Sequence, residues 1–382
     1  MQNTIYEYEE IKEENYKELK EYIIDNSPLH QYFKLEWKTL KARQYCGILN
    51  FDNQDFYILP KIANHNDEQN LNIFIYMLMY VYDIKLSNEQ IASCANQKHT
   101  ILEVFVQMFA SNLLAELKKG MYKEYITMQD NLSVLKGKYL LNENLKYNFT
   151  KNKIYCEYDE FSPNNSLNQF FLYAVKHLQK FVKDKKLLKQ CELIFDEVEY
   201  RQIDINKLDK IHFNRLNQRF KTSFEIAILL LKQSIPLFTK DKKSFAFLFD
   251  MNILFEKFIS RIVKDIDNKA KIQNSNSFGD LILKPDIILE NFIIDTKYKK
   301  LNSLDDLKQS DKLQIFAYGI NYKVENVMLL YPKNEKEIKY DFVLGKDDKS
   351  VELKIRTIDL KFSGNDYKVY IEEIRKKVVN LV

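Results

Sequence analysis

Cysteine is scarce in this 382-residue sequence: Cys46, Cys94, Cys156 and Cys191 lie far apart and form no CxxC pair. That spacing excludes a zinc ribbon and a disulfide framework, and reduced thiols in a cytoplasm are the simplest expectation. Glycine and proline are also few, seven and six residues, which leaves little material for flexible linkers. Long apolar runs are missing as well. The longest, IFIYMLMYVY at 73–82, spans about half of the roughly twenty residues a membrane helix needs, and reads as a buried helix. The acidic start, MQNTIYEYEEIKEEN, has neither an apolar core nor an arginine-rich pattern, so no secretory or transit signal is expected and the protein is expected to be cytoplasmic. No phosphate-binding GxxxxGK[ST] loop is present: Gly137-Lys138 and Gly345-Lys346 lack both the upstream glycine and the following Ser or Thr. A nucleotide-driven motor would have to be another polypeptide. Excess charge is small too, and a net +4 permits a polyanionic partner without requiring one.

What is present points to a folded, multidomain α+β and α/β protein. With 46% hydrophobic and 29% charged residues, no long stretch has the composition of a disordered segment, and the length suits two or three domains. Residues 43–62 alternate as two short strands around a polar turn at Asp52 and Asn53. Helical patterning follows from about 70 to 120. Strand-like alternation returns over 124–160, broken by LKGK (135–138) and by the Asn-rich YLLNENLKYN. Residues 1–165 are therefore expected to form a mixed α/β domain. From Leu167 to about Phe249 the spacing reads as helical, so 166–249 is expected to be a helical connecting region. One helix there sets Lys176, Lys180 and Lys183 opposite Leu172, Val175, Leu178 and Val182. A solvated outer face accounts for these lysines, and a DNA-phosphate contact would use the same spacing. Residues 250–382 form the expected third domain.

The chemistry lies in GDLILKPDIILENFIIDTKYK, residues 279–299, which reads as strand, turn and strand with Glu290-Asn291 as the turn. Counting outward pairs Leu289 with Phe292, Ile288 with Ile293, Asp286 with Asp295 and Lys284 with Lys297. Alternation then puts Asp286, Asp295 and Lys297 on one face. Two directly opposed carboxylates repel, and a hard divalent cation such as Mg²⁺ is their natural compensation, since it takes carboxylate oxygens together with water and phosphate oxygens. In this reading Asp286 and Asp295 hold the metal, while Lys297 positions a water and offsets charge at a phosphate. The opposing account is a surface hairpin neutralised by Lys284, Lys297, Lys299 and Lys300. Apolar residues on both faces, Ile287 to Leu289 and Phe292 to Ile294, argue for a hairpin embedded in a core.

Upstream, LFEKFISRIVKDI (254–266) sets Phe255, Ile259, Ile262 and Ile266 on one helical stripe, with Glu256 at its flank. Glu256 is a candidate third carboxylate and equally an ordinary solvated helix residue. Downstream, Ser310 is placed to N-cap a helix in which Gln314 and Tyr318, at i and i+4, share a face as supporting groups or as packing.

The order of helix with Glu256, strand with Pro285-Asp286, strand with Asp295-Thr296-Lys297, helix with Gln314 and strand NVMLLYP resembles the PD-(D/E)XK nuclease core. ILPKI (58–62), LKGK, CEYDEFSPNNSLNQ (156–169), LFEKF (254–258) and DKLQIFAY (311–318), in that order, further resemble the McrC family, the nuclease subunit of McrBC-type restriction systems. LKGK departs from the arginine-rich form expected there, so Lys136 and Lys138 receive no role. The resemblance implies a restriction-endonuclease-like C-terminal core and Mg²⁺-dependent cleavage of double-stranded DNA carrying modified cytosine, in phage defence. It also implies an McrB-like AAA+ GTPase hexamer as partner, which binds the GTP and on which the N-terminal region docks and stimulates hydrolysis. A stand-alone PD-(D/E)XK nuclease of repair or processing, and a non-catalytic regulatory subunit of a motor, are the alternative functions.

Overall fold

The computed structural model describes residues 3–11, 13–36, 39–51, 54–63, 66–95, 100–150, 152–204, 211–238, 243–347 and 349–381. The chain forms two compact units, Met1–Ile101 with Pro236–Val382, and Leu102–Ile235.

The first unit is built on two sheets. In one, the strands run in the spatial order Thr4–Tyr6, Gln54–Leu59, Tyr45–Phe51, Lys243–Asp250 and Ser234–Phe238. The pair Tyr45–Phe51 and Gln54–Leu59 is antiparallel, as the alternation over 43–62 predicts, and the turn at Asp52 and Asn53 lies outside the described residues. Lys243–Asp250 pairs antiparallel with Tyr45–Phe51, which corrects the helical reading of the stretch ending near Phe249. Its residues Phe245 to Phe249 are all buried, and so short a continuous apolar run cannot be told from a buried helix by periodicity. At Gly47, φ is +147° and a Cβ would stand 2.1 Å from the Phe247 carbonyl oxygen, so only glycine lets the two strands close.

The strand Lys243–Asp250 runs directly into the helix Met251–Ile266, whose N-cap Asp250 accepts from the Asn252 N–H. Phe255, Ile259 and Ile262 are buried as their stripe predicts. Ile266 is not: it closes the last turn and is exposed. This helix packs on Asp67–Val81 and on the C-terminal helix Tyr367–Val379. Asp67–Val81 is the buried helix expected at 73–82, and among the described residues no helix is long and apolar enough to cross a membrane.

The second sheet has the order Lys271–Ile272, Ile287–Ile288, Phe292–Thr296, Asn326–Pro332, Lys349–Ile358 and Lys339–Lys346. Phe292–Thr296, Asn326–Pro332 and Lys349–Ile358 are mutually parallel, and the first two are joined through the helix Gln309–Tyr322. That helix lays Ile315 and Tyr318 against Ile293, Leu329, Leu353 and Ile355. It starts one residue before Ser310 and is preceded by Lys308, which offers no side-chain cap. Ser310 is therefore inside the first turn, where N–H groups lack intrahelical partners and a polar residue costs little.

The second unit contains the helix Ile101–Leu117 from its second residue on, and a three-stranded antiparallel sheet in the order Glu124–Leu132, Ile154–Ser162, Lys138–Tyr139. The Asn-rich YLLNENLKYN, read as a break, holds a short helix, Leu141–Tyr147. Asn144 explains the difference: its Nδ2 donates to the Leu140 and Tyr155 carbonyls and its Oδ1 accepts the Tyr155 N–H, pinning the helix to the strand. Three further helices follow, Ser166–Leu178, Lys186–Ile194 and Lys221–Gln233. The first ends at Leu178, where Lys180 and Phe181 donate back to His177 and Leu178, so Lys180 and Lys183 lie beyond it and the three lysines do not share one helix. Lys176 faces Glu192 at 3.5 Å. All four cysteines are free and buried, in keeping with the absence of a disulfide framework.

Candidate functional site

The hairpin closes in the register counted from its turn: Ile287 opposes Ile294, Ile288 opposes Ile293, and Leu289 donates to the Phe292 carbonyl at 2.8 Å. Upstream of Asp286 the expected long strand does not continue. Leu281–Leu283 pairs instead with Asn276–Phe278, because Pro285 has no N–H to add to the ladder. Lys284 therefore leaves the expected position opposite Lys297, and its Nζ donates to Gln273 Oε1 at 3.2 Å.

Asp286 and Asp295 are brought together at the strand ends. Asp286 Oδ2 accepts from the Thr296 N–H (2.7 Å) and hydroxyl (2.8 Å), so the residue between Asp295 and Lys297 anchors the opposing carboxylate. Asp295 is almost fully buried and its Oδ2 lies 2.7 Å from Lys297 Nζ. Burial raises the pKa of both carboxyls; for Asp295 the Asp286 charge adds to the rise and Lys297 opposes it. Burial also works against the Lys297 cation, but the two carboxylates outweigh it and hold the amine protonated.

Lys297 Nζ donates to Gln314 Oε1 at 2.8 Å, Gln314 Nε2 to Tyr318 Oη at 3.0 Å, and the Tyr318 hydroxyl to the Lys284 carbonyl at 3.2 Å. The shared face of Gln314 and Tyr318 thus forms a hydrogen-bonded line from the lysine back to the residue before Pro285. Glu256 is half-buried, accepts from Gln273 Nε2, and has its pKa raised by burial and by the Asp286 charge. It stands beside the pair and not within it.

Three contributors escape a reading of the sequence. Thr296 is visible only as the unspecified letter of D-x-K. Asp311 is buried, paired with Lys299 Nζ at 2.9 Å, and adds negative potential at Asp295. Tyr298, on the opposite face from Lys297, donates to Glu7 Oε1 at 2.6 Å, and the same oxygen accepts the Lys61 N–H at 3.0 Å. No spacing rule connects residues 291 positions apart.

Among the described residues no three His, Cys, Asp or Glu side chains converge to hold a metal unaided. Two adjacent carboxylates, one buried and one half-buried, with a third at the flank nevertheless suit a hard cation that keeps waters and takes phosphate oxygens. They include none of the histidine and cysteine donors that dominate zinc sites.

The architecture matches a chain of a half-complex from a tetradecameric assembly of Thermococcus gammatolerans McrB AAA+ hexamers with bound McrC. The TM-score is 0.66 at 22% identity, over 99% of both chains. A chain of the cryo-EM structure of the Thermococcus gammatolerans McrBC complex matches at TM-score 0.50 and 26% identity, over 71% of this chain and 89% of that one. No curated protein matches the sequence. A family model described as McrBC 5-methylcytosine restriction system component matches residues 40–332. The chain belongs to that family, and is a component of an McrBC-type restriction system, in line with the McrC resemblance of its sequence.

Proposed function

We propose that this chain is the nuclease subunit of the system and hydrolyses DNA phosphodiesters at Asp286, Asp295 and Lys297, within a PD-(D/E)XK-type core formed by the six-stranded sheet. The observation that carries the reading is a buried carboxylate, Asp295, beside the half-buried Asp286, with a single protonated lysine paired to the first. Such an arrangement is costly unless it serves chemistry. Asp286 and Asp295, with Glu256 at the flank, would hold Mg²⁺, which when bound polarises the scissile phosphate and acidifies a coordinated water. Thr296 fixes the rotation of Asp286 through its two donors. Gln314 holds Lys297 Nζ on the carboxylate side, where the ammonium can orient a nucleophilic water and offset charge developing on the phosphate.

The partner would be an McrB-like AAA+ GTPase ring acting with this chain in the cytoplasm on duplex DNA with modified cytosine. The module of the second unit around the three-stranded sheet, with Phe149 (88%), Tyr125 (74%), Val134 (72%) and Leu145 (67%) exposed, supports a protein partner.

Cleavage of cytosine-methylated and unmethylated duplexes by wild-type and Asp295→Asn protein, each with and without the AAA+ partner and GTP, tests the reading. Mg²⁺-dependent cutting of methylated DNA that needs Asp295, partner and GTP is expected. Cutting that survives Asp295→Asn would overturn the assignment of the site, and cutting without the partner would favour a stand-alone nuclease. Stimulated GTP hydrolysis with no cutting would favour the regulatory subunit.

A further inference from the structure

Beside the carboxylate pair, an open groove of about 450 Å³ runs along the helix Met251–Ile266, lined among others by Tyr82, Glu256, Lys257, Ser260, Arg261 and Lys264. Glu256 marks its site end through Gln273, which also receives the Lys284 ammonium. From there Lys257, Arg261 and Lys264 follow at i, i+4 and i+7 on one helical face.

Glu256 and Asp83 offset part of this charge and leave the row net positive. Lys264 Nζ donates to the Asn268 (2.5 Å) and Ala270 (2.7 Å) carbonyls, which hold the ammonium in place and leave its charge intact. Arg261 donates to the Tyr80 and Val81 carbonyls, with one carboxylate, the exposed Asp83, 3.4 Å away. Lys257 lies over the Tyr82 ring, 5.4 Å from its centroid. A second observation points to an occupant: Ser260, 2% exposed, lines the groove with a buried hydroxyl that has no hydrogen-bond partner. A buried hydroxyl without a partner is costly, and a ligand oxygen would satisfy it.

We infer that this groove binds the sugar-phosphate backbone of the DNA strand flanking the scissile phosphate. The inference rests on the nuclease reading and extends it to the path of the substrate. At about 1.5 Å rise per residue, Lys257 to Lys264 spans about 10 Å. The rise is about 3.4 Å per nucleotide along the duplex axis, and successive phosphates of one strand stand roughly twice that apart, so the span meets about two adjacent phosphates. A row of cations that keeps a net positive charge matches two adjacent phosphates in sign and spacing. The groove's planar hydrogen-bonding groups, Arg261 and Gln273, are already engaged by backbone carbonyls and by Glu256 and Lys284, so the lysines face a backbone and not a base edge.

The test is fluorescence anisotropy of a labelled 30-base-pair duplex in EDTA, where nothing is cut, over a salt series. The variant Lys257→Gln/Lys264→Gln keeps the side-chain stems and, at 264, a donor for the carbonyls, so folding should be preserved and is checked by thermal melt. Each lost phosphate contact flattens the slope of log Kd against log salt by about 0.9, so the double variant should flatten it by nearly 2 and weaken binding about tenfold or more near 100 mM salt. A control of equal charge change, Lys186→Gln/Lys189→Gln on a helix of the other unit, should leave both unchanged. An unaltered slope and Kd in the groove variant, or wild-type protein with no salt-dependent binding, overturns the inference. If cutting still depends on Asp295 while the slope is unmoved, the groove is wrong and the nuclease stands. If cutting is independent of Asp295, the nuclease reading itself has failed.

Discussion

The two units handle unfavourable groups in opposite ways. In the first, Asp295, Asp311 and Glu7 are charged or chargeable groups withdrawn from water, with Asp286 half-buried beside them. In the second, Phe149, Tyr125, Val134 and Leu145 are apolar groups left in it. Folding alone would reverse both, since buried carboxylates and bare aromatics each work against a stable, soluble chain. The contrast separates two kinds of function: strained electrostatics suit bond-breaking, and an exposed apolar module suits association.

The largest effect expected from disturbing this contrast is on cleavage. Asp295→Asn keeps the size of the side chain and removes its charge, and should lower the rate of phosphodiester hydrolysis by at least about 10³-fold, a loss typical of a principal electrostatic group. Partner binding and GTPase stimulation, assayed in parallel, should be unaffected.

Glu7 is the next way to sharpen the comparison, because it is a buried carboxyl without a proposed chemical role. Burial pushes it from its ordinary 4.5 up to about 7, against the hydrogen bonds from Tyr298 and Lys61 that pull it down. The folded value lies above the unfolded one, so the protonated acid favours the fold. Its contribution is complete below about pH 4.5 and fades as pH rises through 7. Glu7→Gln mimics the protonated acid, and should match wild-type stability near pH 4.5 and exceed it by about 3 kcal/mol above pH 8, in urea titrations at the two pH values. Equal stabilities at both would show that Glu7 is not strained by burial.

On the apolar side, Phe149→Ser and Tyr125→Ser should leave the melting temperature within a degree or two, since both rings are exposed. Each should weaken association with the AAA+ partner about tenfold by calorimetry. Unchanged affinity would remove the module from the interface. The smallest effect is expected at Gln314→Ala, which frees Lys297 Nζ from one of its two acceptors and should reduce kcat about threefold with little change in KM. A change confined to KM would make Gln314 a substrate contact.

Much of the site was legible because a two-residue turn sets a countable register. Once Glu290-Asn291 is the turn, Ile287 must face Ile294, and Asp286 must arrive beside Asp295. The count failed where Pro285 interrupted the ladder, so Lys284 went to Gln273 and not opposite Lys297. In the fold, alternation revealed Tyr45–Phe51 and Gln54–Leu59, whose pairing is local. It could not reveal Lys243–Asp250 beside them: that strand is apolar on both faces and its partner lies about 200 residues earlier. Asn144 misled for a chemical reason, since its amide makes tertiary bonds that no propensity records. Asp311 and Tyr298 stayed hidden because their partners are set by packing and not by spacing.

The bond from Tyr298 to Glu7 also orders events in time. It joins the residue after the first short strand to the residue after Lys297 across 291 positions, so the segment that follows Phe292–Thr296 and bears the lysine is tied down only when both ends of that interval have been made. At about 5 to 20 residues per second, the opening segment waits about 15 to 60 seconds on the ribosome for its partner. The emerging chain is thus without the assembled cluster of Asp286, Asp295 and Lys297 for most of its own synthesis.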